Sequence, residues 1–292
     1  MLVARKFNFH DEDIQRIQAS TLNLLKVFDS ICQREKIPYY IMGGTLLGAA
    51  RHKGFIPWDD DADVALFRED YQRLEKVLIE NPPPGTYWES VSNPEHCPSN
   101  HFFGKLCMIE TDIVDRNAVK GSVSHHFGID VFPLDVRPKG FLRRQKQRFL
   151  SYYYNHLSPL LFGGSSRNYA LVKFVFRLLL SPFYKSVSDV AFRFLQVANC
   201  GGPKDLGYRV SLCGRYGYAH ESYLSEWFTQ MIELEFEDMV LSAPIGWRQV
   251  LENTYGKDWI IPKKDHSKHQ HYCVRHVECV LNHKGEMEQK CI

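Results

Sequence analysis

Apolar residues in the first part of the chain recur with helix spacing and then with strand spacing. Residues 11–35 carry apolar side chains at intervals of three and four behind an acidic first turn, which predicts a helix. Residues 37–42 read as a short buried strand. Gly43 and Gly44 break that strand, and a second helix is predicted from Thr45 to Arg51, with Thr45 capping its beginning.

The next segments alternate in the same way. Residues 61–67 alternate charged or small residues with apolar ones, which favours a strand, and residues 71–78 present one apolar helical face. Two more strands are predicted at residues 102–109 and 127–132, the second ending at Pro133. Helices and strands in this order indicate a mixed sheet with helices packed on it.

The chain changes character near residue 135. Residues 136–188 contain no Asp or Glu but ten Lys or Arg residues. We therefore predict an α/β (α+β) core over residues 1–135. Residues 136–292 are predicted to form a basic, mainly helical lobe and a C-terminal segment that pack on this core.

Composition narrows the class of protein. A length of 292 residues with 44% hydrophobic residues allows a sizeable core. A formal net charge of +2 gives no general attraction for nucleic acid, so none is expected as a partner. The N-terminal residues lack the apolar region of an export signal, and the longest apolar stretch, residues 169–184, is interrupted by charges. Eight cysteines occur without a C-x-x-C pair, so we expect reduced thiols and a cytoplasmic location.

Four carboxylates lie within five positions at Asp59, Asp60, Asp61 and Asp63. In a strand Asp61 and Asp63 point to the same face, and Asp59 joins them if the strand begins early. Such a set repels itself unless a cation offsets the charge, and oxygen ligands suit Mg²⁺ or Mn²⁺. The alternative is an acidic turn on the surface, which the apolar residues on both sides argue against. We predict that Asp59, Asp61 and Asp63 bind metal.

Gly43, Gly44 and Thr45 precede this acidic strand at the start of a predicted helix. Glycines allow a phosphate to approach the backbone, and helix N-termini favour anions, so these residues are candidates for substrate binding. A plain tight turn is the alternative. Asp130 lies alone in an apolar strand, where a charge requires a partner. A cation shared with Asp61 and Asp63 would satisfy it, which makes these three aspartates the catalytic candidates; a buried Arg partner is the alternative.

Two cations are candidates for contacting substrate phosphates, because phosphoryl transfer requires charge neutralisation beyond that of a metal. Lys105 interrupts an apolar strand, and an extended edge lysine is its alternative. Arg51 lies about a turn and a half of helix past the glycine break, and an ion pair with the acidic run is its alternative.

Two further segments remain open in interpretation. Between residues 266 and 283 the tail contains seven His and Cys residues whose spacing fits no familiar zinc pattern, which leaves zinc binding, substrate contact and a solvated tail as alternatives: His266, His269, His271, Cys273, His276, Cys279 and His283. The basic span of residues 136–188 suits peripheral contact with the anionic inner face of a membrane, contact with an anionic polymer, or simple solvation.

The residues around both motifs resemble the LicD family, which includes bacterial phosphocholine transferases and the fukutin and fukutin-related proteins. The resemblance is carried by Tyr40-Ile41-Met42-Gly43-Gly44-Thr45-Leu46-Leu47-Gly48-Ala49-Ala50-Arg51 and Ile56-Pro57-Trp58-Asp59-Asp60-Asp61-Ala62-Asp63. It continues in Lys105-Leu106, Ile129-Asp130-Val131-Phe132-Pro133-Leu134-Asp135, Phe236-Glu237-Asp238-Met239 and Tyr255-Gly256-Lys257-Asp258.

This resemblance implies a DNA polymerase beta-like nucleotidyltransferase fold. It also implies transfer of a phosphorylated alcohol from a CDP-alcohol donor to a sugar hydroxyl of a cell-surface glycan or lipid-linked saccharide acceptor, with release of CMP. The glycine pair, Asp59, Asp61, Asp63 and Asp130 match the family's active site. Two other functions remain open: a nucleotidyltransferase that adds NMP to a small molecule or RNA end, and an inactive sugar- or lipid-binding module.

Overall fold

The computed structural model describes residues 11–98, 101–109, 111, 113–115, 127–162, 184–202, 205–261, 272–274, 277–281 and 287–291. The α-helices in this part of the chain are α1 Asp11–Glu35, α2 Gly43–His52, α3 Arg68–Glu80, α4 Phe141–Phe162, α5 Val187–Ala198 and α6 Trp247–Tyr255. The strands are β1 Tyr40–Ile41, β2 Asp63–Phe67, β3 Thr86–Glu89, β4 Gly104–Met108, β5 Ile113–Asp115, β6 Gly128–Val136, β7 Tyr208–Ser211, β8 Ser222–Leu224, β9 Met231–Phe236, β10 Met239–Pro244, β11 Tyr272–Val274, β12 Val277–Leu281 and β13 Met287–Cys291.

A seven-stranded mixed sheet organises the fold. Its strands follow the order β1-β2-β6-β4-β3, and β7 and β8 extend it from the far end of β6. The pairing of β2 with β6 is parallel, whereas the other pairings in this sheet are antiparallel. The mixed α/β prediction is therefore confirmed.

Strand β6 is longer than predicted, because it passes through Pro133 and ends at Val136. On one side of β6, β4 pairs with residues 128–131 and β7 pairs with residues 134–136. Pro133 falls between these two partners, so its missing N–H removes no ladder hydrogen bond on that side.

The main core lies between the sheet and helices α1–α3. Leu25 and Phe28 of α1, Leu66 of β2 and Leu74 of α3 are all buried in one cluster. The apolar faces predicted for α1 and α3 are thus confirmed, and α1 has the predicted bounds of 11 and 35.

Residues from the second half of the chain belong to the same cluster. Phe236 of β9, Leu241 of β10 and Val250 of α6 are buried within it, and β7 joins the central sheet. The division into residues 1–135 and 136–292 stays a prediction, but the sheet and the core both cross it.

A second cluster joins α4 and α5. Leu157 of α4 and Phe194 of α5 are buried together against Val210 of β7. This segment is helical, as expected, whereas the described residues beyond 198 form mostly strands and loops. The expectation of a mainly helical lobe therefore holds only for the described residues between 141 and 198, and residues 163–183 of the basic span lie outside the described part.

None of the helices in the described ranges is both long and apolar enough to cross a membrane.

Candidate active site

Charged residues occupy one row across the central sheet. Asp63 at the beginning of β2 lies directly opposite Asp130 in the parallel strand β6, and Asp130 lies opposite Lys105 in β4. Glu89 in β3 completes the row opposite Lys105. Directly opposed residues project to the same face of a sheet, so the two predicted strands bring Asp63 and Asp130 together.

The glycine pair lies against the acidic run. Helix α2 begins at Gly43, which has a φ of +54°, and the N–H of Gly44 donates to Oδ2 of Asp63 over 3.3 Å. A β-carbon on Gly43 would overlap the Asp63 carboxylate, and one on Gly44 would overlap that of Asp59. The glycines therefore let two carboxylates approach the start of a helix, where backbone N–H groups favour negative charge.

Thr45 forms a hydrogen bond with the backbone at the beginning of strand β2. The prediction that Thr45 begins and caps α2 is wrong, because the helix begins two residues earlier, with Met42 as its N-cap residue. The buried Thr45 hydroxyl instead accepts a hydrogen bond from the N–H of Asp63 over 2.8 Å. Its role in binding substrate stays a prediction.

Burial and mutual repulsion destabilise the ionised forms of Asp59 and Asp63. The pKa of Asp63 lies well above the ordinary carboxyl value because the group is buried and because Asp61 and Asp130 repel its charge; the Gly44 N–H and Lys105 act in the opposite direction. Burial, followed by repulsion from Asp61 and Asp63, likewise raises the pKa of Asp59. A bound cation would relieve both effects.

The carboxylates suit a hard cation in their chemistry, and the absence of β-carbons on the glycine pair lets those of Asp59 and Asp63 come close to the start of the same helix. Within the described ranges, however, no three His, Cys, Asp or Glu side chains converge closely enough to hold a metal ion as they stand. The metal prediction therefore rests on the kind of ligands and on their mutual repulsion.

The two predicted cations occupy different positions. Lys105 is buried in the central strand β4, so it is not an edge lysine, and its Nζ lies 2.7 Å from Oδ1 of Asp130. The partner that Asp130 requires is thus a lysine rather than an arginine. Arg51 lies at the cavity wall, where its guanidinium donates to the Trp259 carbonyl over 3.3 Å, and partial burial lowers its pKa.

A cavity of about 670 Å³ opens over the acidic row. Asp59, Asp61, Asp63 and Asp130 line it, together with Gly43 and Gly44. Its aromatic walls are formed by Trp58, Phe103, Phe132, Tyr216, Tyr223, Tyr255 and Trp259. Arg51 and Arg215 also line it, whereas Thr45 and Lys105 do not contribute to its lining. If a divalent cation were bound to these carboxylates, the cavity could hold an anionic ligand with an aromatic or apolar part, because the two arginines and the aromatic walls would contact it.

Sequence reasoning missed the loop between β7 and β8, which forms one side of this cavity. Arg215, Tyr216 and Glu221 line it. Glu221 is buried, accepts a hydrogen bond from the Tyr216 N–H over 2.7 Å and has its pKa raised by burial to about 7. The loop is far from the acidic run in sequence, and no motif marked it. Tyr255 at the other wall belonged to a quoted motif, which was a usable signal.

Two polar side chains fix the loop that leads into the acidic run. The Gln18 amide of α1 donates to the carbonyls of Ile56 and Asp59 over 3.2 and 2.9 Å. Glu237, in the turn between β9 and β10, accepts from the Phe55 N–H over 2.9 Å. The Phe236–Met239 motif therefore supports the position of the loop that contains Asp59, although the two segments lie about 180 residues apart in the sequence.

Asp135 has a structural role that the sequence did not reveal. It lies within β6, and its carboxylate receives two hydrogen bonds, of 2.7 and 2.8 Å, from the buried Arg68 guanidinium. Asp135 is therefore the buried ion-pair partner of Arg68 within the sheet. In the tail, Cys273 and Cys279 lie in β11 and β12 but their side chains, like the five tail histidines, fall outside the described residues.

Comparisons with known proteins identify the family of the chain. The family model described as LicD/FKTN/FKRP, nucleotidyltransferase domain, matches residues 36–168. The chain is 30% identical over 267 residues to the lipopolysaccharide cholinephosphotransferase LicD of Haemophilus influenzae. The aligned region covers 87% of this chain and 94% of that protein. It is 29% identical over 142 residues to the human ribitol 5-phosphate transferase FKRP, or 44% of this chain and 24% of that protein. The chain is therefore a member of the LicD family and a transferase of the LicD type.

Proposed function

We propose that this enzyme transfers a phosphorylated alcohol, such as phosphocholine, from a CDP-linked donor to a sugar hydroxyl of a cell-surface glycan or its lipid-linked precursor. The observation that carries the proposal is the Asp63–Asp130–Lys105 row beneath a cavity with a glycine-lined helix start. The named activities of the two transferases above support the choice of a phosphorylated alcohol and of a saccharide acceptor.

The proposed core is of the nucleotidyltransferase type. Three features support it: a helix beginning at Gly43, an acidic strand that follows, and an aspartate on the parallel neighbour of that strand. The description of the matching family model points in the same direction.

In this proposal Asp59, Asp61 and Asp63 hold Mg²⁺ or Mn²⁺, which would neutralise charge on the donor's diphosphate. Asp130 accepts the proton that the acceptor hydroxyl loses as it attacks the phosphorus. The ion pair with Lys105 holds the Asp130 carboxylate in place for this step.

The other cavity residues bind the donor. Arg51 and Arg215 line the same cavity and offer guanidinium groups to the phosphates of the donor. Trp58, Tyr216 and Tyr255 supply aromatic surfaces on which a cytosine ring or a quaternary ammonium group can pack.

The proposed location is the cytoplasm, with peripheral contact at the inner face of the membrane where a lipid-linked acceptor is presented. Helix α4 supports this contact, because Phe141 and Leu142 are exposed at its beginning beside Arg144 and Lys146. An exposed apolar edge flanked by cations suits an anionic interface.

The test separates the two reactions that the site could perform. CDP-choline labelled at the phosphorus next to choline is incubated with the protein, Mg²⁺ and a delipidated lipopolysaccharide oligosaccharide. Phosphocholine transfer moves the label to the oligosaccharide and releases CMP. Nucleotidyl transfer instead releases labelled phosphocholine and places CMP on the acceptor, and this result would replace the proposal with its rival.

A further inference from the structure

A second cavity, of about 690 Å³, adjoins the first. It lies between helix α4 and the segment that follows β7. Phe103, Ser211, Cys213 and Gly214 line both cavities, so the two spaces meet at this shared wall. A ligand in the second cavity would therefore face the row of Asp63 and Asp130 from the side of β7.

The wall of this cavity is fixed by specific hydrogen bonds. The Asn155 amide of α4 donates to the Leu212 carbonyl over 2.7 Å. The Tyr218 hydroxyl donates to the Gln147 side chain of the same helix over 2.6 Å. These bonds tie the segment after β7 to α4 at two points, so the cavity is a formed feature of the fold.

Exposed aromatic rings border the cavity on α4. Phe149 and Tyr152 both line it, and they are 66% and 64% exposed. The Tyr152 ring also packs on the imidazole of His156, with 4.0 Å between the ring centres. Neighbouring exposed aromatic rings at the edge of a cavity are typical of a ligand-binding groove.

The polar groups of the cavity differ from those of the first one. Its described lining contains Gln145, Arg148, Asn155 and His156 but no carboxylate, whereas six carboxylates line the first cavity. Amide, imidazole and guanidinium groups beside aromatic faces suit a ligand rich in hydroxyl groups, whose C–H faces stack on the rings. The second cavity therefore lacks the carboxylates that line the first cavity, to which we assign the donor.

We infer that the second cavity binds the saccharide acceptor, with Phe149 and Tyr152 as its stacking surface. This inference rests on the proposed function, and it assigns the acceptor to the β7–α4 side and the donor to the cavity over β2 and β6. The acceptor hydroxyl would approach the donor phosphorus where the two cavities meet, beside Phe103 and Gly214.

The experiment measures two rates with CDP-choline and Mg²⁺. CMP release without acceptor reports donor binding and hydrolysis, and the increase in CMP release with a delipidated lipopolysaccharide oligosaccharide reports acceptor use. Phe149→Ala and Tyr152→Ala should each raise the KM for the oligosaccharide at least about 10-fold. The KM for CDP-choline and the rate without acceptor should stay within about twofold of wild type. Phe192→Ala, an equally exposed ring on α5 outside both cavities, is the matched control and should change neither rate.

The outcomes separate this inference from the proposed function. Absence of CMP release from CDP-choline under every condition would contradict the proposed function. Normal CMP release, combined with an unchanged oligosaccharide KM in both α4 variants, would overturn the acceptor site alone. Loss of sedimentation with phosphatidylglycerol vesicles in the same variants, with an unchanged KM for the soluble oligosaccharide, would make these rings a membrane contact and would also overturn it.

Discussion

Asp130 lies directly opposite Asp63 across the parallel pairing of β2 and β6. Two carboxylates in this register repel each other, and the repulsion contributes to the raised pKa of Asp63. Lys105 offsets part of it from the next strand, because its ammonium group lies 2.7 Å from the Asp130 carboxylate. The sheet thus concentrates negative charge at one point and supplies one buried cation beside it.

The role of Asp130 can be separated from ligand binding. Asp130→Asn should lower kcat for transfer by about 100-fold or more, because the amide cannot accept the proton of the acceptor hydroxyl. Donor affinity, measured by calorimetry with CDP-choline, should change by less than about threefold. Equal losses in donor affinity and in turnover would make Asp130 a ligand rather than a base.

Lys105 should matter for stability in the absence of divalent cations. Lys105→Met should lower the free energy of unfolding by about 3 kcal/mol, because it leaves buried carboxylates without their cation. Adding Asp130→Asn to this variant should recover most of the loss. Urea unfolding in EDTA measures both changes, and Lys76→Met, at an exposed position of α3, is the control. A double variant no more stable than Lys105→Met would show that the two side chains are not coupled.

Gly44 tests the approach of the helix to the acidic run. Gly44→Ala should reduce turnover by about 100-fold, because the new methyl group would displace the Asp59 carboxylate. Gly44 does not have a positive φ, so backbone strain does not complicate the result. Gly202→Ala is the control, since a β-carbon there has open space around it. Turnover of Gly44→Ala near the wild-type rate would mean that Asp59 is not needed in its present position.

Glu221 should make stability depend on pH. Burial raises its pKa from 4.5 to about 7, so the folded protein keeps a proton that the unfolded chain loses between these values. The free energy of unfolding should therefore fall as the pH rises from 4.5 to 7, by at most about 3 kcal/mol from this group.

Glu221→Gln should remove this part of the decline, since an amide oxygen can still accept from the Tyr216 N–H. Urea unfolding at pH 5 and pH 8 compares the variant with wild type and with Glu226→Gln, which changes an exposed acid. A pH dependence identical in all three proteins would mean that Glu221 is ionised throughout.

The membrane contact is testable at low salt. Arg144→Glu combined with Lys146→Glu should abolish sedimentation with phosphatidylglycerol vesicles, and salt should weaken binding of the wild type because charges are screened over about 8 Å at physiological ionic strength. Arg143 is left unchanged because it binds Asp205 and the Cys200 carbonyl. Lys76→Glu is the control. Wild-type protein that stays in the supernatant at low salt would remove this contact from the proposal.

Local sequence patterns predicted the elements that carry the acidic row. The apolar spacing of α1 and α3, the alternation after Asp61 and the lone charge of Asp130 are all visible within short windows. Their physical basis is local, since periodicity determines which face of each element is buried. The proximity of Asp63 and Asp130 followed because a charge in an apolar strand requires a partner.

Long-range contacts could not be predicted in this way. Strand β3 was not predicted from the sequence. All four of its residues are buried, so it shows no alternation of polar and apolar positions. Asp135 is held by Arg68, and Phe55 by Glu237, across large separations in sequence. Arg215 and Glu221 reach the cavity only because β7 pairs with the end of β6. Such contacts depend on the topology of the sheet, which no single segment encodes.

CMP release from CDP-choline in the presence of Mg²⁺ is the most direct test of whether Asp61 and Asp63 belong to the site of transfer. The wild type, Asp61→Asn, Asp63→Asn and the exposed control Glu226→Gln are compared, with thermal unfolding in EDTA as a check of folding. We predict that the control matches wild type, that the first two variants lose at least about 1,000-fold in rate, and that both unfold at or above the wild-type temperature because like-charge repulsion is removed. Folded Asp61→Asn or Asp63→Asn protein that releases CMP within a few-fold of the wild-type rate would contradict the account.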